Sequence, residues 1–447
     1  MILKVASESL SLFTLGTVVL LIVNHTIMKR LAYLTLALAA ILINGCSNEG
    51  LESAKLKVDE SKKSLEFIIL EDEALEAATD FLNGGNVEAR SASSAEVKTI
   101  WRHITLSDDV SSRSATENET VEVPVYVVSF SDENGNPDGY VVTVGDKRVI
   151  NRVLVFSEEG TWGLSEIPEF ENVFWEGVDK SLTRTLTTSS VDPCDTYEYE
   201  EIGYIDKYAV DLFLTWGQTP APYNDSLPAC NATSNKPAGC IAVAMGQIMA
   251  HHKYPNSGSY IHQQYNRAVS VSYDWNKIRA ASDASLLPLA EGRSGVANIL
   301  AEIGYRIGMN YGCTVSTSSS SKVKGVFNSM GYNSSELSDF NLQTIIDNID
   351  DELPVYIRGA KSGSSVGHAW TIERYRQKVN NLIYGRDCPD GSGESIPPTI
   401  IEYSVLSHYL YFNLGWNGMY NGFYSGEIFS DWHYPNGPEI IYDIYPN

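Results

Sequence analysis

The sequence predicts an α+β protein built as two successive units, on three observations. Residues 60 to 165 hold one helix-period segment followed by strand-and-turn segments. A second unit, from about Cys194 to Asn447, is rich in aromatics and Gly, with one clear helix near Cys240 and a strand-like final third from Pro354. No internal repeat of fixed period joins them. With 447 residues, 43% of them hydrophobic, the chain can bury one large core or two smaller ones, which excludes disorder for most of its length.

Along the chain, Met28-Lys29-Arg30 and the run LAYLTLALAAILINGC give a basic start, an apolar stretch too short for a comfortable membrane span, and small Gly45 before Cys46. This resembles a bacterial lipoprotein signal ending in a lipobox, with Cys46 as the lipid anchor and Asn44 as a departure from the usual small or apolar residue. The apolar stretch Leu10 to Val23 lies upstream of this signal and reads as an over-long start, with a transmembrane helix as the alternative. Ser47 to Glu60 is charged and weakly apolar, as in a tether. SLEFIILEDEALEAATDFLNGG then carries a helical period that stops at Gly84-Gly85. VPVYVVSF, the turn-rich DENGNPDG and YVVTVGDKRVINRVLVFSEEGTW read as strands paired through hairpins. The polar run Ser181 to Pro193 reads as an exposed connector in which a protease reaches Arg184.

Charge narrows the function classes. Against 32 Lys and Arg stand 56 Asp and Glu, a formal charge of -24, the wrong sign for gripping a phosphate backbone. Six Cys are too few for a disulfide scaffold of this length. They suffice for a nucleophile, a lipid anchor and one or two bridges.

The strongest chemical signal is KPAGCIAVAMGQIMAHHKYP. Pro237-Ala238-Gly239 breaks the chain, and Cys240 opens a helix of small and apolar residues. A thiol there faces free backbone N–H groups and the positive end of the helix dipole, which favours the thiolate over a thiol of pKa about 8.5. Gly239 leaves room for a substrate carbonyl. A buried or bridged Cys at a helix start is the competing interpretation. The imidazole that such a thiolate needs is offered by SVGHAWTIERY, where His368 follows Gly367 and shares a strand face with Val366, Trp370 and Ile372. A His on such a face also suits a packed core residue. Its interval from Cys240 falls just short of the about 130 to 150 residues of papain-like pairs. Asn413, in YLYFNLGWNGMYNGFY, sits where an amide would fix the imidazole tautomer, and Trp416 where a ring would shield that hydrogen bond; turn chemistry also explains an Asn there. Gln218, in LFLTWGQTPAPYND, is upstream of the nucleophile and suits an oxyanion donor beside the Cys240 backbone N–H. Gly246 inside the helix marks a close packing contact.

Together WGQTPAPYN, GCIAVAMGQIMAHH, VGHAW and FNLGWNG resemble, in order, the streptopain family of papain-like cysteine peptidases, over about residues 200 to 447. The resemblance implies a papain-like two-part catalytic domain, a helical part and an antiparallel sheet, preceded by an α+β propeptide domain. It implies Cys240 as nucleophile, His368 as general base and acid, Asn413 as orienting residue and Gln218 as oxyanion donor, with Gly239, Gly367 and Trp416 in support. Residues 1–46 would then be the signal region, 47–190 an inhibitory propeptide with connector, and 191–447 the peptidase domain. The implied partners are protein or peptide substrates, the propeptide itself and an activating protease, with no cofactor, no metal and no nucleic acid. The expected location is outside the cytoplasm, as an envelope lipoprotein or a secreted protein, touching membrane only through a lipid anchor. The chain departs from the family's pattern at Leu414, where Trp is usual, and in RQKVNNLIYGRDCPDGSGESIPP, which looks like an inserted surface loop.

Two alternatives keep the same residues: an inactive surface binding protein of this fold, and a Cys-His amidase or transpeptidase. His251, His252 and His262 lack the spaced Cys or carboxylates of a metal site. Cys194, Cys230, Cys313 and Cys388 allow three pairings, among which the sequence does not choose.

Overall fold

Among the described residues, one antiparallel sheet of eleven strands runs through both parts of the chain. The computed structural model describes residues 67–83, 94–106, 119–188, 195–262, 264–280, 290–364, 366–386, 396–430 and 437–447. The stretch Leu10 to Val23, the signal from Met28, Cys46 and the tether lie outside the described residues, as do Cys194 and Cys388.

The first helical period forms α1 (Glu71–Asn83), with Ala74 and Ala78 buried and three acidic residues in its first turn, where the helix dipole favours them. It packs on a meander of β1 (Ala95–Leu106), β2 (Glu119–Ser131), β3 (Pro137–Val144) and β4 (Val153–Ser157). The near-continuous apolar run of β2 has a structural cause. Side chains alternate faces along a strand, and Val121, Val123, Val125 and Val127 enter the large core while Tyr126, Val128 and Phe130 pack toward α1.

Next comes α2 (Pro168–Thr188), which corrects the expectation of an exposed connector from Ser181. Phe170, Val173, Phe174, Val178, Leu182 and Leu186 recur at helical spacing and are all buried, so the apolar stripe carries the helix through the polar run. Thr187 and Thr188 turn their hydroxyls back onto the carbonyls of Thr183 and Arg184. Arg184 is exposed, as expected, but helical; residues 189–194 lie outside the described set.

Past β5 (Asp195–Tyr208), a helical part gathers α3 (Cys240–His252), α4 (Trp275–Ala280), α5 (Ala290–Arg306) and α6 (Val323–Ser329) around one core. The hairpin β6 (Ser257–His262) and β7 (Arg267–Ser272) lies on it, and a Cys230–Cys313 disulfide pins two of its loops. α3 is buried along its whole length from Ile241 to Ala250. At Gly246 an added Cβ would come 2.8 Å from Leu300 of α5, the close packing that the sequence suggested.

The elements that complete the large sheet, with two helices between them, are β8 (Ser338–Asp339), α7 (Leu342–Asp350), β9 (Val355–Ala360), β10 (Gly367–Arg386), β11 (Ile396–Asn413), β12 (Gly422–Ser425), α8 (Glu427–Ser430) and β13 (Glu439–Ile441). Sheet order is β1-β2-β3-β4-β12-β11-β10-β9-β13-β8, with β5 added along β10. The pairs Phe156↔Phe423 and Val155↔Tyr424 join β4 to β12, so residues on both sides of position 190 share one sheet and one core. What the sequence presented as an inserted loop is, up to Arg386 and from Ile396, the far end of the β10–β11 hairpin.

Candidate active site

Gly239 precedes α3 at φ +87°, a left-handed conformation that L side chains rarely adopt, and a Cβ there would meet the Met309 methyl carbon at 2.7 Å. The chain can therefore turn sharply into the helix and start it on Cys240. Gln218 is brought alongside by its carbonyl, which accepts the Ala238 N–H at 3.1 Å. From the sheet, His368 sits on β10 opposite Gly359 of β9. A Cβ on Gly367 would come 2.2 Å from the Gly359 carbonyl, so close strand approach requires glycine there.

Cys240, His368, Gln218, Gly367 and Trp416 line one cleft of about 670 Å³. The backbone N–H groups of Ala369 and Ile241 face the thiol and favour its anion, as the helix start predicts. Burial outweighs them, with a further contribution from the Glu169 carboxylate, and pushes the Cys240 thiol up to about 11. Burial likewise pushes His368 down to about 4, although the Leu414 carbonyl works the other way. Both shifts run toward the neutral thiol and the neutral imidazole.

His368 Nε2 lies 2.8 Å from the Leu414 carbonyl. A carbonyl only accepts, so the ring carries its proton on Nε2 and keeps Nδ1 as the basic nitrogen. Phe170 meets the ring edge-on at 6.2 Å and Trp370 stacks on it at 5.9 Å.

Asn413 makes its side-chain hydrogen bonds to other groups. Its Nδ2 donates to the Leu214 carbonyl at 2.6 Å and to Glu373 Oε1 at 2.9 Å, so the carboxamide is already engaged where β11 ends. The next peptide turns the Leu414 carbonyl toward the ring instead. Trp416 lines the cleft, and Phe170 and Trp370 pack on the imidazole.

Three features escaped sequence reasoning. One is Glu373, a buried acid on β10. Another is the hydroxyl-rich wall of the cleft from Thr314 to Ser321, anchored by Cys313 and by Ser316 Oγ on the Pro237 carbonyl at 2.7 Å. Its only trace in the sequence is a Ser run beside a cysteine. The third is the start of α2, since Pro168 and Glu169 line the same cleft as Cys240. Among the described residues no cluster of His, Cys, Asp or Glu is placed to hold a metal ion; His251 and His252 pack on each other, and His262 packs on Tyr265 and Tyr305.

Comparison with known proteins bears on this cleft. Residues 216–424 match the Peptidase C10 family. Streptopain of Streptococcus pyogenes serotype M28 is 28% identical over 279 residues, 54% of this chain and 66% of the relative, so the chain spans somewhat under two thirds of that protein's length. Thiol protease/hemagglutinin PrtT of Porphyromonas gingivalis is 23% identical over 356 residues, 71% of this chain and 37% of that protein. Among solved structures, a fragment of Prevotella intermedia prointerpain A aligns with 78% of this chain and 100% of its own at a TM-score of 0.48 and 17% identity. The likeness to the Peptidase C10 family and to streptopain thus runs through residues 216–424, which hold Cys240 and His368.

Proposed function

We propose that the chain is an exported cysteine endopeptidase made as a zymogen, with residues 191–447 as the peptidase and residues 47–190 as its inhibitory propeptide. The observation that carries this reading is the shared cleft: a free Cys at a helix start faces it together with an imidazole whose tautomer a carbonyl fixes. In the reaction, His368 Nδ1 takes the Cys240 proton and the sulfur attacks the scissile carbonyl carbon. The Cys240 backbone N–H and the Gln218 side chain hold the oxyanion. His368 then protonates the leaving amine, a thioester remains, and water hydrolyses it with His368 again as base.

Latency follows from the same geometry. The first turn of α2 lines the cleft, Phe170 covers the imidazole, and burial keeps thiol and ring neutral. Cutting after Thr188 and release of the N-terminal unit admits water and lets the two groups return toward an ion pair. Cleavage within 181–188 is disfavoured, because a protease needs extended chain and Leu182 and Leu186 anchor that turn of α2. Export rests on the signal at Met28, anchoring on Cys46, and activation on a second protease or on the enzyme itself.

Selective labelling of Cys240 by a thiol-directed peptidase inhibitor, with new N-termini released from casein, supports the proposal. An unreactive Cys240 after removal of the N-terminal unit favours a binding protein, and acyl transfer to an added amine without protein cleavage favours a transpeptidase.

A further inference from the structure

Glu373 is a buried acid that the proposed chemistry leaves unused. It lies on β10 at 3% exposure, and its backbone carbonyl accepts the Ala209 N–H at 2.8 Å. Side-chain Oε1 accepts from Thr371 Oγ1 at 2.7 Å and from Asn413 Nδ2 at 2.9 Å, while Oε2 has no hydrogen-bond partner. The Asn413 carboxamide that it holds is also tied to the Leu214 carbonyl at 2.6 Å, and Gln247 of α3 donates to that same carbonyl at 3.1 Å. On its other side, Asn413 Oδ1 accepts the Gly415 N–H at 3.3 Å, and Asn421 Oδ1 accepts the Leu414 N–H at 2.9 Å. The Leu414 peptide is thus bracketed before and after, and its carbonyl is the acceptor for His368 Nε2.

We propose that Glu373 is a positioning residue for His368: its Oε1 locks the Asn413 carboxamide, and through it the Leu414 carbonyl that orients the imidazole. This rests on the peptidase reading above. It explains why the carboxamide next to the imidazole turns away from it, toward Glu373. It also links the nucleophile's helix to the imidazole's strand through Gln247, Leu214 and Asn413.

The neutral form follows from the surroundings. Ionisation would place charge on an enclosed oxygen that no donor reaches, a costly arrangement. The charged and titratable groups that act on the carboxyl are Arg374 on its own strand and Tyr411 on β11; the segment after β5 meets the residue with the Ala209 N–H. The Arg374 guanidinium is itself spread over the rings of Tyr208, Phe213, Tyr411 and Phe423. Burial wins and pushes Glu373 up to about 7, so the acid is neutral below that pH and ionises above it.

The test compares wild type, Glu373→Gln and Glu373→Ala in the full chain after activation, with fluorescent casein cleavage read from pH 5 to 9. Gln keeps the acceptor oxygen and stays neutral at every pH; Ala removes the anchor. The expected result is that Gln, which keeps the acceptor oxygen, retains most of the activity across this range. Ala should lose about 10- to 100-fold in kcat with little change in KM, the effect of a misplaced catalytic group. Equal loss in Gln and Ala, or an unaffected Ala variant, overturns the proposal. Proton NMR of the His368 Nε2–H in the same samples, expected in wild type and Gln and lost in Ala, decides the matter without activity. A wild type that cleaves nothing while that resonance behaves as stated sinks the peptidase reading and leaves the positioning role standing.

Discussion

His368 Nε2 lies 2.8 Å from the backbone carbonyl of Leu414, so a main-chain oxygen does what a side-chain amide was expected to do. The Leu414 side chain is fully buried in the core and contributes packing. Leu414→Ala should therefore lower stability by about 2–5 kcal/mol, the usual range for such a truncation, while kcat measured well below the melting temperature stays within a few-fold. Leu414→Met should be tolerated on both counts. Denaturant unfolding and casein cleavage on the same samples check this, and a large loss of kcat in the Met variant would contradict it.

Alkylation reports the ionisation of the thiol. Burial raises the Cys240 thiol to about 11 in the closed form, so it is protonated throughout the neutral range and becomes reactive only as pH approaches that value. Iodoacetamide should modify Cys240 slowly at pH 7 in the uncut chain and much faster once the N-terminal unit has been removed. Equal rates before and after removal would show that the first turn of α2 does not govern the thiol.

Acid should loosen the closed form. His368 and His252 are both held near 4 by burial, against an ordinary value near 6.5. The unfolded chain then binds more protons than the folded one between these values, so stability is full above about pH 6.5 and declines as pH falls toward 4. Melting temperatures of the Cys240→Ala chain between pH 7 and 4 should drop, and the drop should be smaller in Cys240→Ala/His368→Gln.

Phe170 is completely buried and meets the rings of His368, Trp370, Phe412 and Tyr424. Phe170→Ala should cost about 3–5 kcal/mol of stability and uncover the imidazole. Conversion to the processed form, timed by gel, should then be faster than in wild type.

The cleft wall from Thr314 to Ser321 begins at Cys313, whose bridge to Cys230 closes a separation of 83 residues. Removing both sulfurs as Cys230→Ser/Cys313→Ser should cost about 2–5 kcal/mol and raise KM more than it lowers kcat, since the wall and not the reacting pair is loosened. A strong reductant should act on the wild type in the same direction while keeping Cys240 reduced. Kinetics of the double variant with and without reductant separate the two effects.

Cys240 was legible in the sequence because a Pro-Ala-Gly break before a run of small apolar residues can hardly be anything but a buried helix start, and His368 because its strand alternates cleanly. The hairpins of β2 to β4 were legible for the same reason. α2 was hidden because its last two turns are polar except for Leu182 and Leu186, which matter only when a core is present to receive them. β1 was hidden because only Ile104 of its residues is buried and polar residues interrupt its apolar ones, as suits a strand at the sheet edge. The hydrogen bonds of Asn413 to Glu373 and to the Leu214 carbonyl were not legible, because sequence gives a side chain's neighbours along the chain but not the buried groups beside it in space. The Cys230–Cys313 pairing depends on two loops meeting across the helical part, which spacing does not encode.

The central claim is that Cys240 drives removal of the N-terminal unit and then cleaves other proteins. Residues 47–447 as wild type and as Cys240→Ala, incubated in mild reductant with the broad-specificity protease subtilisin added in a parallel set and followed by intact mass, N-terminal sequencing and casein digestion, test it most directly. The expected result is a wild type cut after Thr188, by itself or by subtilisin, that then digests casein, and a Cys240→Ala protein that subtilisin cuts at the same place without gaining activity. A cleanly cut wild type with no more activity than Cys240→Ala would contradict it.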